Sequence, residues 1–297
     1  MVGPLQSRTW PLADIEPPAP GVDRTWPALQ ITSAYDPRGG ARAVALIVDC
    51  DRSLYAITTE FRVVCFGLGC LGFQQRVGAS CVLAFRGAGA MSTGFGAGFH
   101  AQPGKAVDAL AYDRWTGRWS KLFIPDVLAI AAVKPGCRVL DVSTGTGEAV
   151  GMALPLVGVD GLVIGADISP AMLKSARTRL YGSAFLPVAA DGQALPFKDH
   201  SFDAVVCQLG LQFFPNPVRG VEEFRRVLRE GGSVAICVIS TPDRAPMWGT
   251  LADVLSRFLP ELHDVLFLSF RLHDPGQLEA MLVGAGFRDV SVERTTR

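Results

Sequence analysis

From about Lys105 the apolar positions recur in two alternating patterns. KLFIPDVLAIAAV (Lys121–Val133) has helical spacing. CRVLDV (Cys137–Val142) is short and nearly all apolar, the pattern of a strand buried on both faces of a parallel sheet. A helix is expected from about Gly147, then a strand in GLVIGAD (Gly161–Asp167). Ser169-Pro170 supplies an N-cap and a first-turn proline for the helix AMLKSARTRL. AFLPVAAD and FDAVVCQ read as the third and fourth strands. Asn216-Pro217 opens the helix VRGVEEFRRVLRE, which Gly231-Gly232 is expected to end, and SVAICVIS is the fifth strand. Asp274-Pro275, with Gln277 three residues past the aspartate, forms a capping box for QLEAMLVGAG, and FRDVSVERT is the sixth strand. Strands alternating with helices at this spacing predict a doubly wound, Rossmann-like α/β fold. Its sheet is mostly parallel, with helices on both faces and ligands at the strands' C-terminal ends.

Upstream the pattern is poorer. Two β-like runs, ARAVALIVD (Ala41–Asp49) and LYAITTEFRVVCF (Leu54–Phe66), could pair as a hairpin. They are flanked by proline-rich and then glycine-rich stretches, and no lysine occurs before Lys105. Glycine loses much backbone entropy on folding, and a lone hairpin is marginal in water. Residues 1–104 are therefore expected to be a Pro/Gly-rich, poorly ordered extension of unknown role, and residues 105–297 to be the folded domain. The abrupt change also suggests a natural product that begins at Met91.

Composition narrows the function classes. Lys+Arg and Asp+Glu balance at 28 each, and no basic stripe with interleaved aromatics points to nucleic acid. Mean hydropathy is +0.28, yet no apolar run approaches the roughly 18–20 residues of a membrane span. The N-terminus lacks the pattern of a signal peptide. The seven cysteines are scattered without metal-ligand spacing, as buried thiols are in a reducing compartment. A cytoplasmic protein with no metal site is the expectation; oligomeric state is open.

The chemistry concentrates in RVLDVSTGTGEAV (Arg138–Val150). A dinucleotide fingerprint would be G-x-G-x-x-G with pyrophosphate on the helix N-terminus. Here Val150 stands at the third glycine, and Asp141 and Glu148 would repel a diphosphate. S-adenosylmethionine, which carries an ammonium and a sulfonium but no phosphate, fits these acids. Asp141 would hold the ammonium directly or through water. Gly145 and Gly147 would let the backbone approach, Asp167 would take the ribose hydroxyls, and Asp191 the adenine amino group. Each of the three acids also has a plainer reading as a turn or cap residue.

Several segments carry a family resemblance: YDRWTGRWS, VLDVSTGTG, VIGADISPAML, AADGQALPF, FDAVVCQLGLQFFPN, VLREGGSVAI and AGFRDV. From about Tyr112 to the C-terminus, about two-thirds of the chain, the sequence resembles the class I S-adenosylmethionine-dependent methyltransferases. Within them it is most similar to the small-molecule group of ubiquinone and menaquinone biosynthesis. The resemblance implies transfer of the sulfonium methyl to a small-molecule O-, C- or N-nucleophile. It places Asp141, Ser143, Gly145, Thr146 and Gly147 around the methionyl end of the cofactor. Asp167 and Ile168 fall at the ribose, Asp191 with Gly192 or Gln193 beside the adenine, and Gln208 near the sulfonium and the acceptor.

Two departures stand out. Ser143 replaces the usual first loop glycine, and a family sheet has seven strands, the last antiparallel, whereas six can be read here. Either the chain is truncated or the extension supplies the missing edge. Tyr112, Trp115, Arg118 and Trp119 are candidates for a flap over the cofactor, with Tyr112 or Arg118 meeting its carboxylate. Phe213, Phe214 and Trp248 are candidates to line the acceptor site. His263 and Gln208 are candidates for a catalytic role; His200 and His273 read as a surface and a structural residue. The alternatives are an S-adenosylmethionine-binding module without turnover and a nicotinamide-dependent oxidoreductase.

Overall fold

The computed structural model describes residues 40–49 and 109–296, within the compact unit Ala34–Arg297. Strand β1 (Arg42–Asp49) comes first. Then follow α1 (Ala109–Tyr112), a π-helical turn (Asp113–Gly117), α2 (Arg118–Ser120) and α3 (Ile124–Ile130). Next come β2 (Arg138–Val142), α4 (Glu148–Val157), β3 (Leu162–Asp167), α5 (Pro170–Arg179), β4 (Phe185–Ala189) and β5 (Phe202–Gln208). A 3-10 turn (Leu211–Phe213) leads to α6 (Pro217–Val227), β6 (Leu228–Ile239) and α7 (Pro246–Phe258). A turn at Pro260–Leu262, α8 (His263–Phe267) and a turn at Leu268–Phe270 precede α9 (Pro275–Gly284) and β7 (Arg288–Thr296).

The cap residues act as their chemistry dictates. Ser169 Oγ accepts from Met172 N, Asn216 Oδ1 from Arg219 N, and Asp274 Oδ1 from Gln277 N. Gly231-Gly232 does not end a helix. Instead α6 stops at Val227, and the strand pairs at once, Leu228 opposite Phe202. The register then shifts, resuming with Ser233 opposite Ala204, so the glycine pair sits in an irregularity within β6, with Gly231 at φ 73°. A residue with a positive φ suits such a bulge.

Among the described residues the sheet has seven strands in the order β4-β3-β2-β5-β6-β1-β7, and every pairing is parallel. This corrects the expectation of a sheet lacking its seventh strand. The missing strand is β1, from the supposed extension, and it lies inside the sheet rather than at an edge. Ala43 faces Val234 of β6 on one side and Val290 of β7 on the other. Seven of its eight residues are buried. The run ARAVALIVD lacks alternation because both of its faces are covered, as in a central parallel strand. The boundary at residue 104 therefore does not separate the sheet from its upstream sequence. The proposed hairpin partner Leu54–Phe66 and the start site at Met91 lie outside the described residues, as does the rest of 1–104 apart from 40–49.

Helices cover both faces. Val221, Phe224 and Val227 of α6 join Leu278, Met281 and Leu282 of α9 against Leu140, Val205, Ile236, Ala43, Ala45 and Ile47. On the other face α3 buries Ile124, Val127, Leu128 and Ile130 and contacts β5 and β6. Arg42 of β1 donates to the Ile130 carbonyl (2.8 Å) and Ser233 of β6 to that of Ala131 (2.6 Å), satisfying carbonyls at the C-terminus of α3. The edges are β4, which carries Pro187, and β7, which carries Arg288, Asp289, Glu293 and Arg294. Both discourage further pairing. Strand order reverses between β2 and β5, so the crevice above their C-terminal ends is where a ligand belongs.

Candidate functional site

A narrow cavity of about 40 Å³ opens at that crevice. Ser143, Gly145, Asp167, Ile168, Gly192 and Gln208 line it, together with Tyr112, Phe213 and Phe214. No Lys or Arg is among the described residues that line it. A wider open groove lies between α5 and β4, lined by Leu173, Arg177, Tyr181 and Pro187, with no carboxylate among the described residues that line it.

Two buried carboxylates stand at the strand ends; Asp167 lines the cavity, whereas Asp141, Thr146, Gly147 and Asp191 are not among its lining residues. Asp141, at the end of β2, is 1% exposed. Its Oδ2 accepts from Thr144 Oγ1 (2.7 Å), while Oδ1 is buried without a partner. Burial pushes its pKa up to about 7, against the Thr144 hydrogen bond, and the charge of Asp167 adds to the rise. Asp167, at the end of β3, accepts from Gly145 N and Ser169 N, both at 2.8 Å. Burial raises its pKa to about 6, with these two bonds opposing. The Tyr112 hydroxyl is held well above its usual range by burial, then by Asp167 and Asp113. At neutral pH it is a proton donor, not a base.

The loop between β2 and α4 is tightly specified. Gly145 and Gly147 have φ of 55° and 84°, and a Cβ on Gly147 would come within 3.1 Å of Ala176 and 3.0 Å of Leu180. Ser143 also has a positive φ, 61°, where glycine is at ease and other residues are strained. Ser143→Gly is accordingly expected to raise stability by about 1 kcal/mol; denaturant melts would show it. Thr146 points away from the cavity, donating to Asp113. Asp113 and Glu148 also share Arg179, which ties the π-helical turn to α4 and α5.

The other expected residues are placed as follows. Asp191, just past β4, accepts from Gln193 N (2.7 Å) and from its side-chain amide. Gln193 Oε1 in turn accepts from Asn216 N. Gly192 lies against Phe214, whose ring would be 2.3 Å from a Cβ there. Gln208 donates to the Ser120 carbonyl (3.0 Å) and leaves its buried Oε1 unpartnered. Trp119 packs edge-on against Phe123 and Trp248, with ring centroids 5.3 and 6.3 Å away.

Arg118 and the histidines fall elsewhere. Arg118 is exposed and outside the lining, and the side chain of Trp115 lies outside the described residues. His263 is exposed on α8, stacked on Phe267 at 4.6 Å, and does not line the cavity. His200 is exposed, and His273 is a cap-side residue whose Nδ1 meets the Phe270 carbonyl. Sequence reading missed Arg179 and Asp113. They lie 66 residues apart, and no local pattern links them.

The arrangement can hold a ligand that carries a cation and hydroxyl groups. It is unsuited to a diphosphate, because the Gly145 N–H, which would hold a phosphate oxygen, is committed to Asp167.

Residues 140–236 match the family model described as a methyltransferase domain. The chain is 32% identical over 184 residues to the ubiquinone/menaquinone biosynthesis C-methyltransferase of Shewanella frigidimarina, covering 57% of this chain and 73% of that one. It is 32% identical over 203 residues to the corresponding protein of Ectopseudomonas mendocina, covering 63% and 79%. Among solved structures, a methyltransferase of Bacillus halodurans titled putative shows 29% identity and a TM-score of 0.44, over 56% of this chain and 68% of that one. Among the described residues no helix is long and apolar enough to cross a membrane.

Proposed function

Because the chain belongs to the class I S-adenosylmethionine-dependent methyltransferases, distantly related to the small-molecule C-methyltransferases named above, we propose that it methylates a small molecule held above β5 and β6. Bound S-adenosylmethionine supplies a sulfonium methyl already activated for in-line displacement by an acceptor nucleophile. The observation that carries the reading is the orphaned Oδ1 of Asp141. A buried carboxylate oxygen with no donor is costly, and the ligand's ammonium is the group that would relieve it.

Each residue then has a task. Asp141 holds the ammonium, Ser143, Gly145 and the backbone of the loop follow the methionyl chain, and Thr146 and Gly147 fix the loop's shape. Asp167 accepts from the ribose hydroxyls, Ile168 packs on the nucleoside, and Asp191 and Gly192 border the adenine. Gln208 sits at the boundary with the acceptor. The protein's contribution is alignment and a dry site. No base is needed for an acceptor that is already nucleophilic. The names of the curated relatives bring a carbon nucleophile forward as the first to try.

Calorimetric titration with S-adenosylhomocysteine tests this. Micromolar binding is expected, with NADH failing to compete and Asp167→Ala weakening affinity at least tenfold. Affinity should also fall as pH drops from 8 to 5. Asp141 and Asp167, with pKa values of about 7 and about 6, must lose their protons to accept from the ligand. Binding of NADH in place of S-adenosylhomocysteine would favour an oxidoreductase. Binding with no methyl transfer to any acceptor would leave a module without turnover.

A further inference from the structure

The 3-10 turn Leu211–Phe213 has three sides. Leu211 packs towards α6 beside Gly220, and Phe213 lines the cavity. Gln212 is 0% exposed, and neither its amide nitrogen nor its amide oxygen has a hydrogen-bond partner. The turn also packs against Leu268–Phe270, which Arg271 follows. Arg271 is half-buried. It donates to the Phe214 carbonyl, two residues beyond Gln212, while its Nε is buried without a partner.

No ion pair among the described residues includes Arg271. Its pKa is pulled below the usual range by burial alone. Arg179, Arg219 and Arg226, by contrast, each meet two carboxylates. A guanidinium partly withdrawn from water without an anion, following a turn that packs against the one that buries an amide without partners, is an arrangement that an anionic ligand would stabilise.

The neighbouring segment offers a way in. Of α7 only Gly249 and Ala252 are buried, and neither Pro260–Leu262 nor α8 has any buried residue. So thinly packed a segment opens at low cost compared with the sheet beneath it.

We propose that Arg271, backed by the Gln212 amide, recognises a carboxylate on the methyl acceptor, so that the substrate is an organic acid. The proposal rests on the methyltransferase reading above. A carboxylate suits the guanidinium fork, which can donate two parallel hydrogen bonds to it. Gln212 offers a further N–H once the segment moves. The ligand's body would then lie towards Phe213, on the acceptor side of the cavity.

The test uses the full chain saturated with S-adenosylhomocysteine, titrated with salicylate and with salicylamide, its neutral analogue. The parent is expected to bind salicylate at least tenfold more tightly. Arg271→Met should bring salicylate down to the level of salicylamide without changing affinity for S-adenosylhomocysteine, and Gln212→Leu should weaken salicylate several-fold. Equal affinity for the two probes in the parent would overturn the proposal. So would an Arg271→Met variant that keeps the preference, or one that melts earlier and loses both probes equally, since Arg271 would then only brace the Phe214 carbonyl. Failure of the parent to bind S-adenosylhomocysteine would instead sink the methyltransferase reading, and this proposal with it.

Discussion

Replacing Asp141 with asparagine should make the protein more stable at pH 8 and a much poorer binder of S-adenosylhomocysteine. The carboxylate is buried, its pKa is raised from 3.8 to about 7, and burial is the main cause. The sign follows from proton uptake. Between pH 4 and pH 7 the folded state binds a proton that the unfolded state has released, so stability falls as pH rises through this window. At about 1.4 kcal/mol per pKa unit, the ionised side chain costs on the order of 4 kcal/mol above pH 7. Asparagine is nearly the same shape, can still accept from Thr144, and carries no charge to desolvate. A rise of several degrees in melting temperature is expected at pH 8, fading by pH 5, where the parent is protonated. Affinity for S-adenosylhomocysteine should fall at least tenfold, or about 1.4 kcal/mol. Thermal melts at the two pH values and calorimetry at pH 8 measure both halves. A variant that melts earlier at pH 8, or binds as tightly as the parent, would remove Asp141 from the role assigned to it.

Deleting residues 1–90 should abolish cooperative folding. The deletion removes β1 from between β6 and β7, with Val44, Leu46, Ile47 and Val48 all buried. Burial of each such side chain contributes roughly 1.5–3 kcal/mol, and four together come to roughly 6–12 kcal/mol. That matches the whole net stability of an ordinary domain, about 5–15 kcal/mol. The deletion also leaves β6 and β7 with unpaired edges and takes the Arg42 guanidinium from the end of α3. The check is a urea melt followed by circular dichroism, with gel filtration for aggregation. A truncated protein that melts sharply and binds S-adenosylhomocysteine would show that β1 is dispensable.

How far the sequence was legible depended on how local the cause was. Ser169, Asn216 and Asp274 cap helices by bonding to a backbone N–H three residues away, so a few residues contain the whole signal. Asp141 and Asp167 were also visible, because each ends an apolar run and the fold class says what lies beyond such an end. The position of β1 was not visible. Ala41–Asp49 reads as a strand, but the residues that pair with it lie near Ser233 and Val290, and no feature of ARAVALIVD names them. The glycine pair at 231–232 misled because it marks an irregularity in β6 as readily as the end of a helix. At the site, Arg179 escaped notice because its partners, Asp113 and Glu148, come from other helices. The orphaned atoms of Gln212 and Arg271 could only appear once the two turns were packed together.

The place of β1 also sets an order of events. Its neighbours span Ser233–Ile239 and Arg288–Thr296, so Arg42 must find a partner almost at the other end of the chain. During synthesis β1 is the first of the seven strands to leave the ribosome, yet β6, the nearer in sequence of its two partners, follows only after β2 to β5 have been made. Until then an apolar strand with two open edges must wait, and pairings at such separation form slowly because loop closure must precede any gain from contact. The first strand to be made must therefore wait for β6 before it can pair, and β7, whose only partner among the described residues is β1, waits on both.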